Sequence, residues 1–200
     1  YAEINHTAVQ QAVEATLRDW LREEIDNRSE LLRLPIDNGH IRHIVERGLS
    51  MGTPTAAGLA AVWGKYFFEA KMTHEGEAYL ESAIAILRNH EDAFADDLAT
   101  ALTNYGGAIM QRTNALNVLP IFEEVVAIQE KNHGPKALKT GQAIQNLGAV
   151  YTQAGKFELA LKYYQHALSI YHALPSSQLI ELKIARVQFN LGVLHVQRQD

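Results

Sequence analysis

The chain has 200 residues, 47 % of them apolar and 20 % charged, the balance of a folded globular chain and not of a disordered one. Its net charge of −5 signals no basic surface, so no nucleic-acid partner is expected. It contains no cysteine, which excludes disulfides, thiolate zinc sites and cysteine nucleophiles and favours a reducing, cytoplasmic setting. Helix formers dominate, and Val and Ile cluster only as pairs such as Ile44–Val45 and Val125–Val126. The chain therefore reads as all-α with short connections. It begins at Tyr1 without a signal-peptide pattern and reads as starting inside a longer protein.

In chain order, "HTAVQQAVEATLRDWLREEI" carries Val9, Val13, Leu17, Trp20, Leu21 and Ile25 at helical spacing and predicts a first helix. Pro35 separates it from a second helix over residues 38–49, with Asp37 or Asn38 as N-cap. Residues 1–50 are thus expected to form an N-terminal helical linker or cap, followed by a repeat array over 55–200. The uncharged stretch 48–64 contains Gly48, Gly52, Pro54 and Gly58 and is too short and too broken to span a bilayer, so no membrane partner is expected.

The array repeats a large–small pattern. It is clearest in Ile144-x-x-Leu147-Gly148-x-x-Tyr151 followed by Ala160-x-x-x-Tyr164-x-x-Ala167. Gly155, between the two halves, can take the left-handed conformation that ends a helix. Weaker units carry Trp63-Gly64 with Phe67, then Leu80 and Ala83; Tyr105-Gly106 with Ile109, then Val118, Phe122 and Val125; and Leu191-Gly192 with His195. The marker glycines lie 42, 42 and 44 residues apart. Small residues let helix backbones approach, and large ones fill the space around them.

The pattern resembles the tetratricopeptide repeat (TPR), in the longer form found in kinesin light chains and many bacterial proteins; the common repeat is about 34 residues. The resemblance implies a right-handed α-solenoid of antiparallel helix pairs. Repeats are expected at 57–98, 99–140 and 141–184, with the first helix of a fourth at 185–200. Polar linkers would be "NHEDAFADD", "KNHGPKALKT" and "HALPSSQLIE". The last helix would present an uncapped apolar face at Ile184, Val187, Leu191 and Leu194. Either further chain or a second copy, in a homodimer, would cover it. Near the N-terminus, His6-Thr7-Ala8-Val9-Gln10 and Leu17-Arg18-Asp19-Trp20-Leu21 resemble the segment that precedes long TPRs in NB-ARC proteins of the STAND class of signalling ATPases.

No stretch carries catalytic chemistry. "GLAAVWGK" has five residues between its glycines, Tyr66 after the lysine and no preceding strand, so it fails as a phosphate loop. His40, His43 and Glu46 share a helix face but have no partner segment with matching ligands; polar residues on a solvated face account for them. The acidic clusters Glu23–Glu24, Glu91–Asp92, Asp96–Asp97 and Glu123–Glu124 suit solvated faces and helix N-termini. No enzyme activity, metal site or cofactor is expected.

The chemistry that remains is a ladder of amides. Asn104, Asn146 and Asn190 precede the large–small pair in three units, and the first unit has Val62 there. An asparagine amide offers both a donor and an acceptor, so it can pair with the backbone of an extended peptide whatever its side chains. Thr103, Gln111, Gln142, Gln145 and Gln153 lie along the same helices and are expected to add contacts, and Lys65 of the first unit adds charge. By resemblance, this is the concave groove that takes a protein or peptide ligand. The groove is nearly neutral, which disfavours an acidic tail as ligand. The expected function is a non-catalytic interaction module of a STAND-type regulatory ATPase; the alternative is a receptor domain for a small signal peptide or small molecule.

Overall fold

The computed structural model describes residues 6–25, 38–69, 73–110 and 112–198. Among them lie nine helices: α1 (His6–Ile25), α2 (Asn38–Ser50), α3 (Pro54–Glu69), α4 (Thr73–Arg88), α5 (Glu91–Met110), α6 (Ala115–His133), α7 (Leu138–Gln153), α8 (Phe157–Ala173) and α9 (Gln178–Arg198). No strand occurs among the described residues. The helices fall into two compact units, Tyr1–Ala108 and Ile109–Asp200.

In the first unit α3 is the centre. It is buried without a break from residue 56 to residue 64, and a helix apolar on all sides belongs in a core. Helices α1, α2 and α4 all pack on it. The approach of α4 is set by Gly64: a β-carbon there would fall 2.5 Å from Leu80 Cγ. Leu80, Ala83 and Leu87 of α4 are fully buried along that seam. Helices α1 and α2 thus pack within this unit.

The second unit repeats the arrangement. Helix α7 pairs with α8, and a β-carbon on Gly148 would fall 2.9 Å from the Tyr164 ring. Gly64 and Leu80, like Gly148 and Tyr164, are sixteen residues apart, so the two glycines hold equivalent places at helix crossings. The turn between α7 and α8 is the one expected: Gly155 has φ of +68°. The Lys156 amide bonds the Tyr151 carbonyl at 2.9 Å and the Gly155 amide bonds that of Thr152 at 3.0 Å, the double bond that closes a helix on a left-handed residue. The same pair closes α2, from Thr53 to Gly48 and from Gly52 to Leu49, with Gly52 at φ of +66°.

Three expectations are corrected. The predicted linkers are too long: α5 starts at Glu91, α7 at Leu138 and α9 at Gln178. Acids at Glu91, Asp92 and Glu181 sit in first helical turns, where they favour the helix dipole, and α5 absorbs its extra turn in a kink at Phe94. Repeat edges at 98, 140 and 184 consequently fall inside α5, α7 and α9. The third correction concerns α9. Val187 and Leu194 are fully buried against the unit's own core, with Ile184 and Leu191 half-buried beside them. The face left open is the opposite one, with Leu182, Phe189, Val193 and Val196, where Phe189 is 71 % exposed. Choosing between two apolar stripes on one helix needs the neighbours, which the sequence does not supply.

Two glycines at one repeat position should respond oppositely to substitution. Gly148→Val should lower unfolding free energy by about 1–3 kcal/mol through overpacking against Tyr164. Gly192 has nothing within 4 Å of a built β-carbon, so Gly192→Ala should raise stability by about 0.5–1 kcal/mol through helix propensity. Urea unfolding followed by circular dichroism reads both.

Candidate functional site

The expected ladder divides between the two units, and each part has its own geometry. In the first unit Asn104 of α5 is half-buried, and its amide Nδ2 donates to the Ala61 carbonyl of α3 at 2.9 Å. That amide ties one repeat's first helix to the preceding one. Thr103 is half-buried and returns its hydroxyl to the Ala99 carbonyl one turn back, at 2.7 Å. Lys65 is half-exposed near the end of α3. Gln111 lies outside the described residues.

In the second unit Gln142 and Asn146 lie one turn apart on α7, and Asn190 on α9. All three are half-buried and make no side-chain hydrogen bond to a described residue. Helix α9 packs on both α7 and α8. Gln153 is exposed at the end of α7. Gln145 is a correction: it is 4 % exposed, and its Oε1 accepts the Tyr171 hydroxyl at 3.0 Å. A buried amide whose carbonyl serves the core is not available to a ligand. Gln145 and Asn146 are consecutive, so about 100° of helix separates their side chains, and Gln145 faces Tyr171 of α8.

The tyrosines of both units are structural. Tyr151 stacks on Tyr163, ring centres 5.1 Å apart, and donates to Glu123 Oε1 of α6 at 3.2 Å. Burial, then the neighbouring Tyr163 and Glu123, push its hydroxyl up to about 12. Tyr79 of α4 is also pushed up to about 12, first by burial and then by its hydrogen bond to Glu46, 2.7 Å away. Burial raises Tyr164 and Tyr171 as well. Glu46, a member of the histidine–carboxylate trio, thus serves Tyr79; His43 is exposed and the His40 side chain lies outside the described residues. No group of three His, Cys, Asp or Glu able to hold a metal occurs among the described residues.

A polar cluster on α1 escaped the sequence reading. Glu14 is fully buried: its Oε2 accepts the hydroxyls of Thr55 at 2.6 Å and Thr53 at 3.1 Å, and its Oε1 accepts Gln10 Nε2 at 2.9 Å. One turn on, Arg18 Nη1 stands 3.5 Å from Asp97 Oδ2, and Asp97 is buried. Burial opposes the Arg18 charge, but the hydrogen bond to Asp19 and the charges of Asp97 and Asp19 outweigh it and its pKa is raised. Val13, read as a core position, is exposed. Two charged residues four apart were the only available signal, and such pairs ordinarily face solvent.

The hydroxyls of Tyr79 and Tyr151 favour the neutral form when folded, so both stabilise the fold below the free tyrosine value of about 10. That contribution is lost as pH rises from there through about 12. Phenolate absorbance during alkaline titration should show a late-ionising class that Tyr151→Phe reduces by one group. A Tyr151→Phe titration identical to the parent's late class would contradict the assignment.

Comparison with known proteins agrees with this architecture. Residues 97–173 match the tetratricopeptide repeat family model. No curated protein matches the chain significantly. Among solved structures, the chain is similar to BtubC (BKLC) from P. vanneervenii, at TM-score 0.71 and 16 % identity, over 98 % of this chain and 85 % of that one. No described helix is long and apolar enough to cross a membrane. The fold is an all-α solenoid of antiparallel helix pairs, with the tetratricopeptide signature over its central stretch.

Proposed function

We propose that this chain is a non-catalytic interaction module that binds a segment of a protein partner along the amide-bearing face of α7 and α9. The observation that carries the reading is the trio Gln142, Asn146 and Asn190: half-buried amides with no side-chain partner among the described residues. Each amide is half-exposed and holds a donor and an acceptor that no described side chain or backbone group takes up, so both are open to a ligand backbone. The tetratricopeptide match over residues 97–173 supports protein interaction as the general role. The face bears two asparagines and a glutamine and no acid, so it suits an extended backbone better than a charged terminus.

The wider setting is part of the same proposal. The resemblance of α1 to the segment before long TPRs in NB-ARC proteins supports a place in a STAND-type regulatory ATPase, where ligand capture would release the nucleotide domain. The cysteine-free composition supports a cytoplasmic location.

An array of immobilised peptides tests the reading. Changing Gln142, Asn146 and Asn190 together to alanine should weaken capture by about tenfold or more, since each lost hydrogen bond is worth about 0.5–1.5 kcal/mol. N-methylation of the captured peptide's backbone should have a similar effect, while changing its side chains singly should not. Capture that survives the triple change in a chain of unaltered helicity would remove the assignment.

A further inference from the structure

The register set by Gly64 and Gly148 pairs α3 with α7 residue by residue: Gly58 with Gln142, Ala61 with Gln145, Val62 with Asn146. On α7 the face at Gln142 and Asn146 is half-open. On α3 it is closed: Gly58 is buried and Val62 is 3 % exposed. The repeat that lacks the asparagine, with Val62 in its place on α3, is the one whose face is covered. At Gly58 the cover comes from Asp97 of α5 and, beside it, Arg18 of α1. A β-carbon there would fall 3.0 Å from Arg18 Cδ and 2.6 Å from Asp97 Oδ1. One turn earlier Thr55 bonds Glu14 of α1. A β-carbon on Gly48 would also meet Glu14 Oε1, at 2.5 Å. Gly48 thus leaves room for Ala56 of α3 together with Glu14, and Gly58 for Asp97 together with Arg18.

The seat is polar where helix packing is ordinarily apolar. Glu14 and Arg18, four residues apart, supply the specific contacts, to Thr53, Thr55 and Asp97, while Val13 points outward. Contacts of this kind hold a helix in one register, so Glu14 and Arg18 set the place where α1 docks.

We propose that α1 is a resident ligand. It is an amphipathic helix with an acid and an arginine four residues apart that fills, on the first repeat, the face whose equivalent on α7 is open. This rests on reading that face as ligand-binding. A free helix of the same pattern is the class of ligand the vacated seat takes, and while α1 is docked its high effective concentration excludes such a helix.

The test uses the whole chain, the paired change Glu14→Gln with Arg18→Gln, and a labelled peptide of residues 6–25 as probe. In the parent chain α1 amides should resist hydrogen exchange and the peptide should not bind. In the double variant α1 should exchange at least about tenfold faster, with the remaining helices still protected, and the peptide should bind. Adding Gly58→Val should abolish that binding by filling the space in which Arg18 meets Asp97. Four results would overturn the proposal: α1 staying protected, α1 released without peptide binding, binding indifferent to Gly58→Val, or loss of protection throughout the unit. The readout needs no external partner, so it fails or succeeds separately from capture at Gln142, Asn146 and Asn190.

Discussion

The contact on which the fold depends is a missing β-carbon against a large side chain. Gly64 admits Leu80, and Gly148 admits the Tyr164 ring, each at a distance no side chain on the first residue would allow. Core side chains pack at crystal-like density, so a seam of this kind fixes where the second helix lies along the first. The turn at Gly155, with its two backbone bonds and positive φ, then sets where that second helix begins. On α7 one face is left half-open, and Gln142 and Asn146 sit there, with Asn190 half-buried on α9.

The architecture was legible because its determinants are local and periodic. Leu147-Gly148, Tyr151, Ala160 and Tyr164 announce a helix hairpin in twenty residues, and the equivalence of Gly64 with Gly148 follows from spacing alone. What was not legible depends on neighbours. Gln145 and Asn146 are adjacent amides, yet one bonds Tyr171 in the core and the other stands half-open, because the sequence does not say where α8 crosses. Helix α9 carries two apolar stripes, and only the packing of α7 and α8 decides that Val187 and Leu194 go inward while Phe189 and Val196 stay out. Polar stretches read as linkers became first helical turns because acids stabilise helix N-termini as readily as they solvate loops.

The first helix illustrates the same limit in reverse. Helical spacing puts Val13 among the inward apolar positions, but the fold leaves it exposed and buries Glu14. Burying Glu14 is tolerable because two threonine hydroxyls and the Gln10 amide meet its carboxylate, as a buried charge requires. Periodicity finds apolar stripes, but it does not find a polar socket made by residues forty positions away in the chain. The departure at Val62 from the asparagine column was visible from the outset, and its meaning emerged once the closed face of α3 could be set beside the half-open face of α7.

The account is tested most directly by a double-mutant cycle across the seam, with Gly148→Ala, Tyr164→Leu and the pair, read as unfolding free energies in urea. If the glycine exists to admit the ring, the alanine should be costly beside tyrosine and far less so beside leucine, giving a coupling energy of about 1 kcal/mol or more. Strict additivity, within about 0.3–0.5 kcal/mol, would mean that the two residues do not determine each other and that the helix pairs are positioned by something else.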